Sequence, residues 1–227
     1  MFLKRTLLIL MMGMIGLSFP SCTGILGGIY DEPSEYGFIE SWGNEGTLYL
    51  DVNEYSQWTY INFETRQIDT RDIEIEGKEN PSLHYGIPEN WDIAFHKYDC
   101  KTNSGAVLKT EFDKIDDLMK SGRLPAGNYV RDIPACKPEE VDNPEAEGRI
   151  RVDMSRMMEG IIIYAPSPRN MEIAGWLESD TSTMPPVYTI PGKVYLVQLE
   201  NDRYLALDLI NYGSGKLTVK YHYPVEF

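Results

Sequence analysis

Strict alternation of apolar and polar residues near the C-terminus is the strongest constraint on the fold. Leu205, Leu207 and Leu209 share one face of a predicted strand, and every second residue from Leu217 to Tyr223 shares one face of the next. A period of two residues is typical of a strand with one buried face. The tract therefore predicts long antiparallel strands at the edge of a hydrophobic core.

Shorter strand patterns fill most of the preceding sequence. "TLYLDV" and "WTYINF" are rich in β-branched and aromatic residues, and Trp91, Ile93 and Phe95 alternate with more polar neighbours. A hairpin is predicted where "VYLVQL" and "YLALDLINY" meet at residues 200–202. The only helix signal is "FDKIDDLMKSG", which predicts one or two turns ending at Gly122. We therefore expect an all-β, mostly antiparallel single domain, as a sandwich or barrel.

The first residues indicate export. Lys4 and Arg5 precede a short apolar run that ends at Ser21 and Cys22, which is typical of a signal peptide with lipidation of the cysteine. We expect a lipoprotein signal peptide over 1–21, a flexible tether over 22–46, and a β domain over 47–227. An ordinary secretory signal with an incidental cysteine is the alternative.

The net charge limits the classes of partner that the chain is expected to bind. The chain carries a net charge of −14, and removing Lys4 and Arg5 leaves 19 basic and 35 acidic residues, or −16. Such a chain is expected not to bind nucleic acid, which attracts positive charge.

With Cys22 lipidated, Cys100 and Cys136 remain. Because an exported chain meets an oxidising compartment, a Cys100–Cys136 disulfide is predicted. Two buried free thiols are the alternative.

The sequence contains none of the common catalytic motifs, including GxSxG, HExxH and the P-loop. His96 follows an apolar run and is expected to be a hydrogen-bonded strand residue, and His222 is expected to face solvent. We therefore expect a binding protein rather than an enzyme.

Methionines form two clusters outside the leader. Met154, Met157 and Met158 follow the predicted strand "GRIRVD", and Met184 follows "GWLESD". Filling gaps in a core is the ordinary role of methionine. At strand ends, however, the thioethers are expected to lie on loops, where binding groups concentrate. Thioether sulfur is an axial ligand of haem iron and a good ligand of Cu(I).

The chain resembles the HmuY family of haem-binding, haemophore-like lipoproteins. The resemblance is carried by "SQWTYINF" at 56–63, "WDIAFHKYDCKTNSGAV" at 91–107, "GRIRVDMS" at 148–155, "GWLESDTSTMPPVYT" at 175–189, and the tract "YLALDLINY…GKLTVKYHYP". It implies a hand-shaped β fold with haem between two finger-like loops, each supplying one axial ligand. It also implies an outer-membrane lipid anchor, facing the cell surface or the periplasm, and haem delivery to a TonB-dependent receptor.

Carried onto this sequence, the resemblance implies an axial pair of Met157 and Met184, with Met154 and Met158 as alternatives for the first loop. Counting from "GWLE", the histidine position of the best-known family pattern falls on Thr181, which is not a haem ligand. The alternative function is a surface lipoprotein of the same fold that binds another porphyrin, a glycan or a protein.

Other residues near the two loops have expected secondary roles. The aromatic residues Tyr164, Trp176 and Tyr188 are expected to flank the porphyrin, with core packing as the alternative, favoured for Trp176. Arg156 is expected to pair with a haem propionate or to remain in solvent.

Overall fold

The two long C-terminal strands predicted from the alternation are confirmed. The computed structural model describes residues 35–75, 77–133, 149–180, 182 and 187–227. Elements are numbered in chain order, and β14 (Tyr204–Gly213) pairs antiparallel with β15 (Lys216–Val225). Leu205, Leu207 and Leu217 are completely buried on the shared inner face. The 3-10 turn Glu200–Asp202 connects β14 to the preceding strand, where the hairpin turn was predicted.

These two strands lie in the middle of a seven-stranded antiparallel sheet. Its strands, in spatial order, are β1 (Phe38–Trp42), β2 (Glu45–Asp51), β15, β14, β13 (Val194–Gln198), β7 (Ala106–Lys109) and β8 (Val130–Arg131). Strands distant in sequence are therefore neighbours in space, because β2 pairs with β15 and β7 pairs with β13.

A four-stranded antiparallel sheet forms the second layer. Its strands, in spatial order, are β4 (Gln67–Asp72), β3 (Gln57–Asn62), β5 (Ile93–His96) and β6 (Asp99–Thr102). One hydrophobic cluster joins its inner face to that of the seven-stranded sheet, with Ile61 and Phe95 from one layer and Leu207 and Val219 from the other. The expected all-β domain is thus a two-layer sandwich.

Two short α-helices lie among the described residues. Helix α1 (Ile115–Ser121) covers the outer face of the seven-stranded sheet, where Ile115 and Leu118 pack on Leu196 and Ala206. It ends as predicted at Gly122, whose φ of 58° suits a residue without a side chain. Helix α2 (Met171–Ala174) is a single turn. Among the described residues, the helices are too short or too polar to cross a membrane.

The N-terminal boundary differs from the prediction. Residues 22–46 were expected to be a tether, but Phe38–Trp42 forms β1 and pairs with β2, which itself begins at Glu45. The folded domain therefore begins before residue 47. The pairing of β1 with β2 was not predicted, because β1 is short and its neighbours in the sequence are rich in Gly and Glu. The predicted signal peptide and Cys22 lie outside the described residues.

Cys100 is a free thiol and is completely buried in the main core. This agrees with the alternative of buried free thiols for this residue. Its predicted disulfide partner, Cys136, lies outside the described residues. Burial, followed by the nearby carboxylates of Asp132 and Asp99, raises the pKa of the Cys100 thiol well above its ordinary value.

The outer face of the four-stranded sheet is also covered. Trp58, Tyr60 and Ala94 pack there with Trp91 and with residues of a later hairpin. The prediction that Trp91 shares a face with Ile93 and Phe95 is therefore wrong. Trp91 precedes β5, so the strand alternation does not extend to it.

Lys101 lies inside this outer aromatic cluster. Its ammonium group is 4.1 Å from the ring centroid of Trp58 and 4.8 Å from that of Tyr60, and it donates to the Tyr60 hydroxyl at 2.9 Å. The residue is only 5% exposed. Burial therefore lowers the Lys101 pKa from 10.5 to about 8. Aromatic faces stabilise the buried cation in part, but the folded state still holds the proton less tightly than the unfolded chain.

We predict that Lys101→Met flattens the pH dependence of stability between pH 8 and 10.5. In this range the unfolded chain binds more protons than the folded one, so the free energy of unfolding of the wild type rises with pH. Relative to the variant, the rise should reach ~3 kcal/mol, measured by urea denaturation. Lys109→Met is the control because Lys109 is exposed. Parallel profiles for wild type and Lys101→Met would contradict the prediction.

Candidate functional site

The first methionine-bearing loop predicted from the sequence is the turn of a two-stranded hairpin. The second predicted loop falls between the paired strands of another hairpin, and most of it, including Met184, lies outside the described residues. The first finger comprises β9 (Arg149–Asp153), residues 154–162 and β10 (Ile163–Pro166). The second finger comprises β11 (Glu178–Asp180), residues 181–186 and β12 (Val187–Thr189). Each is a two-stranded sheet of its own, separate from the sandwich sheets. Because isolated two-stranded hairpins are marginally stable, both fingers depend on packing against the body.

The first finger packs on the outer face of the four-stranded sheet. Ile150 and Val152 of β9 are about 1% exposed and contact the cluster of Trp58, Tyr60 and Ala94. Apolar burial at this position fixes the base of the finger and leaves its turn to project.

Two of the three methionines of the first finger lie on the exposed turn. A 3-10 turn spans Met157–Glu159 and ends at Gly160, which has φ of 78°. Met157 is 50% exposed and Met158 is 93% exposed. Met157 is therefore accessible while still partly packed, whereas Met158 lies almost wholly in solvent.

Arg156 is committed to a neighbour in this turn. Its Nε and Nη2 atoms donate to one carboxylate oxygen of Glu159, at 3.0 and 2.5 Å. The expected role of Arg156 as a propionate partner would require this ion pair to open. Because both side chains are more than half exposed, the pair contributes little to stability.

A cavity of about 430 Å³ lies beside the first finger, and Met154 lines it. The apolar part of its wall includes Ile73, Ile75 and Val152, and Tyr55 belongs to the same lining. Sites for small ligands typically have this combination of volume and apolar lining with a few polar groups.

Two charged groups of the cavity, Lys78 and Asp153, form an ion pair. Lys78 donates to the Asp153 carboxylate, and Ser155 N–H donates to the same carboxylate at 2.7 Å. These hydrogen bonds, led by that from Lys78, lower the pKa of Asp153 to about 2. Asp153 therefore stays ionised, and Lys78 provides a cation next to Met154.

A tyrosine cluster connects the second finger to the body. Tyr188 of β12 stacks on Tyr98 with ring centroids 6.0 Å apart and 24° between planes, and the two hydroxyls are hydrogen-bonded at 3.2 Å. Tyr212 contacts both rings edge-on, at 5.8 Å each. Trp176 in turn contacts Tyr212 at 5.4 Å. We call Tyr98, Tyr188 and Tyr212 the tyrosine cluster.

Tyr55 relates the tyrosine cluster to the cavity of the first finger. It lines that cavity, and it is close enough to Tyr98 and Tyr212 to contribute to the raised pKa of both phenols, for which burial is the largest cause. Aromatic side chains therefore extend from the first finger toward the second.

The expected flanking aromatics have different surroundings. Trp176 is 1% exposed and donates from its indole N–H to the Tyr98 carbonyl at 3.2 Å, which agrees with the core role favoured for it. Tyr188 is 40% exposed and remains accessible on the second finger. Tyr164 lies on the first finger, and its buried hydroxyl has no hydrogen-bond partner among the described residues.

The segment between the fingers is anchored at Asn170, which is completely buried. Its side-chain oxygen accepts from two backbone N–H groups at the start of α2, and its Nδ2 donates to the Val130 carbonyl at 2.8 Å and to Asp132 at 3.0 Å. Its backbone N–H donates to the Cys100 carbonyl at 2.7 Å. Through its side chain and its backbone N–H, this one residue thus ties the segment between the fingers to β8 and β6.

His96 lies where the sequence predicted: it is 1% exposed at the end of β5 and bonds to the Tyr55 carbonyl at 2.6 Å. His222 was expected to face solvent, but its side chain is only 19% exposed, and it lies opposite Glu45 of β2. Among the described residues, histidine, cysteine and acidic side chains nowhere form a metal-binding group of three. Met184 and Thr181 lie outside the described residues, so their predicted positions stay predictions.

Sequence reasoning missed three aromatic residues of this region: Tyr55, Tyr98 and Tyr212. They come from three distant parts of the chain and carry no shared motif. The one usable signal was Tyr98, which occupies the two-residue turn between paired His96 and Asp99. An aromatic residue in such a short turn indicates that its ring packs against another part of the protein.

Comparisons with known proteins agree on one family. A sequence profile of HmuY protein matches residues 54–226. A candidate HmuY-like heme binding protein of Bacteroides vulgatus ATCC 8482 is 38% identical, with a TM-score of 0.71 over 85% of this chain and 100% of that one. A candidate lipoprotein of Bacteroides fragilis NCTC 9343 is 36% identical, with a TM-score of 0.69 over 87% and 100%.

A more distant structure shares the fold alone. The apo HmuY analog of Tannerella forsythia is 21% identical, with a TM-score of 0.60 over 78% of this chain and 94% of that one. No curated protein matches the sequence significantly.

We predict that Asn170→Ala lowers the free energy of unfolding by about 2–4 kcal/mol, because it removes a helix cap and leaves buried acceptors unpaired. Urea denaturation measures the change. Asn90→Ala is the matched control, since Asn90 is exposed, and it should stay within about 0.5 kcal/mol of wild type. Equal stability of the two variants would show that Asn170 does not anchor the fingers.

Proposed function

Because the chain belongs to the HmuY family, we propose that it is a haem-binding lipoprotein that holds haem between the first and second fingers. The observation that carries the proposal is the accessible thioether of Met157 on one finger together with the accessible ring of Tyr188 on the other. Exposed apolar groups on two projecting hairpins of an acidic protein suit a clasp for a flat, apolar ligand. The relative from Bacteroides vulgatus is itself a candidate heme binding protein.

Within this proposal, Met157 and Met184 supply the two axial sulfur atoms. Met154 is the alternative on the first finger because it lines the adjoining cavity. Met158 is the weakest alternative, since its side chain is 93% exposed and has little packing to hold it in place.

Thioether ligation has chemical consequences for the proposed site. A thioether is neutral, so binding iron requires no deprotonation, unlike a cysteine or tyrosine ligand. A soft, uncharged donor also favours ferrous over ferric iron. The site should therefore bind haem more tightly under reducing conditions.

The surroundings supply the remaining contacts of the proposed complex. Aromatic residues from Tyr55 to Tyr188 would contact the porphyrin ring. Lys78, which lines the Met154 cavity, would pair with a haem propionate by exchanging its ion pair with Asp153 for one with the ligand.

We also propose that Cys22 carries a lipid that holds the protein at the outer membrane, facing the surface or the periplasm. The 36% identity to a candidate lipoprotein supports this proposal. Haem captured between the fingers would then pass to a TonB-dependent receptor. The protein would act by binding, not by catalysis.

Thr181 favours a second function. It occupies the position where the best-known family pattern has a histidine, as counted from "GWLE". A site without that ligand could hold another porphyrin, a glycan or a protein on the same fold.

We predict that adding haem to the wild type produces a Soret band that strengthens when dithionite is present. Met157→Ala and Met184→Ala should each weaken ferrous haem binding at least about tenfold, which corresponds to ~1.4 kcal/mol. Met154→Ala tests the alternative ligand. Titrations followed by visible absorption, each in oxidised and reduced form, give the dissociation constants.

Met158→Ala is the matched control, because it removes a thioether from the same turn without removing a packed side chain. Its affinity should equal that of the wild type. If neither ferric nor ferrous haem produces a spectral change with the wild type, the haem proposal fails and the second function gains support.

A further inference from the structure

The second finger attaches to the body through one described side chain. The described neighbours of Tyr188 on the two strands are all exposed: Glu178, Asp180, Val187 and Thr189. Tyr188 alone among them has ring contacts, stacking on Tyr98 at 6.0 Å and meeting Tyr212 edge-on at 5.8 Å. Each strand of this finger has only three residues, so the hairpin has little stability of its own.

The receiving rings belong to the body of the domain. Tyr98 lies in the turn between β5 and β6, and its carbonyl accepts from the buried indole of Trp176. Tyr212 belongs to β14, an interior strand of the seven-stranded sheet. Tyr188 therefore rests on two rings that are carried by the sandwich layers and not by the strands of its own finger.

The contact joins two kinds of interaction that can be separated by substitution. Offset aromatic stacking contributes to stability beyond apolar burial, and the Tyr98–Tyr188 hydroxyl pair at 3.2 Å adds a hydrogen bond. Because Tyr188 remains 40% exposed, the hydrogen bond competes with water, and the stack should be the larger contribution.

We propose that Tyr188 is a positioning residue that docks the second finger on Tyr98 and Tyr212, and so sets the position of the turn that carries Met184. The consequence for Met184 rests on the proposed function, whereas the docking itself does not. Without the contacts of Tyr188, the hairpin would be held at the residues that flank its two strands, where Leu177 and Ile190 pack against the main core.

The docking is tested first without any ligand, by amide hydrogen exchange with mass spectrometry on the folded protein. Tyr188→Leu should accelerate exchange in residues 178–189 at least about tenfold while leaving the sandwich strands unchanged. Tyr188→Phe keeps the ring and loses the hydroxyl, so its acceleration should be smaller. Tyr164→Phe is the matched control, because the Tyr164 hydroxyl has no hydrogen-bond partner among the described residues.

The consequence for the ligand is tested by haem dissociation from the reduced complex. Tyr188→Leu should release haem at least about tenfold faster than wild type, with Tyr188→Phe restoring most of the slow release. Unchanged exchange in the Leu variant would overturn the proposal. If exchange accelerates but the wild type binds no haem, the docking stands and the proposed function fails.

Discussion

The anchoring of residues 167–177 is the constraint on which the site depends. Both fingers are narrow ribbons that join neither sandwich sheet, so their geometry follows from how this connecting segment is held. Asn170 binds β6, the β8 region and helix α2 at once, and Trp176 is fixed to the Tyr98 carbonyl. Buried, satisfied polar groups of this kind specify one arrangement because any displacement leaves them unpaired.

The fingers then differ in how they are held. The first packs through a continuous apolar strip, including Ile150 and Val152, on the outer face of the four-stranded sheet. In the second, among the side chains that the structure describes, Tyr188 alone has ring contacts with the body, to Tyr98 and Tyr212. In the proposed haem site, one firmly packed finger and one lightly docked finger would admit a ligand without disturbing the core, since elements that must move are generally drawn from the less stable parts of a structure.

Sequence alone predicted the parts of the fold that depend on local periodicity. The strands of the C-terminal tract, the helix ending at Gly122 and the turn that carries Met157 and Met158 all follow from patterns within about ten residues. Trp91 was assigned to the wrong face because the alternation was extended past the strand end. Pairing of β1 with β2 was missed because edge strands are short and carry a weak apolar pattern.

The rest of the site could not be predicted, because it is assembled from distant segments. The rings of Tyr98 and Tyr212 are 5.8 Å apart, yet they come from a turn of one sheet and a strand of the other. From the sequence, Arg156 was expected to pair with a ligand or to remain in solvent. In the structure, the 3-10 turn brings Glu159 close enough to form an ion pair with it. The buried position of Lys101 among Trp58 and Tyr60 follows from sheet register, which periodicity does not provide.

The proposed haem site requires two separate turns to present sulfur atoms to the same iron. Iron K-edge X-ray absorption of the reduced haem complex would detect these sulfur atoms. We expect two sulfur neighbours at bonding distance in addition to the four pyrrole nitrogens, and one fewer in Met157→Ala. Axial positions filled only by nitrogen or oxygen in the wild type would contradict it.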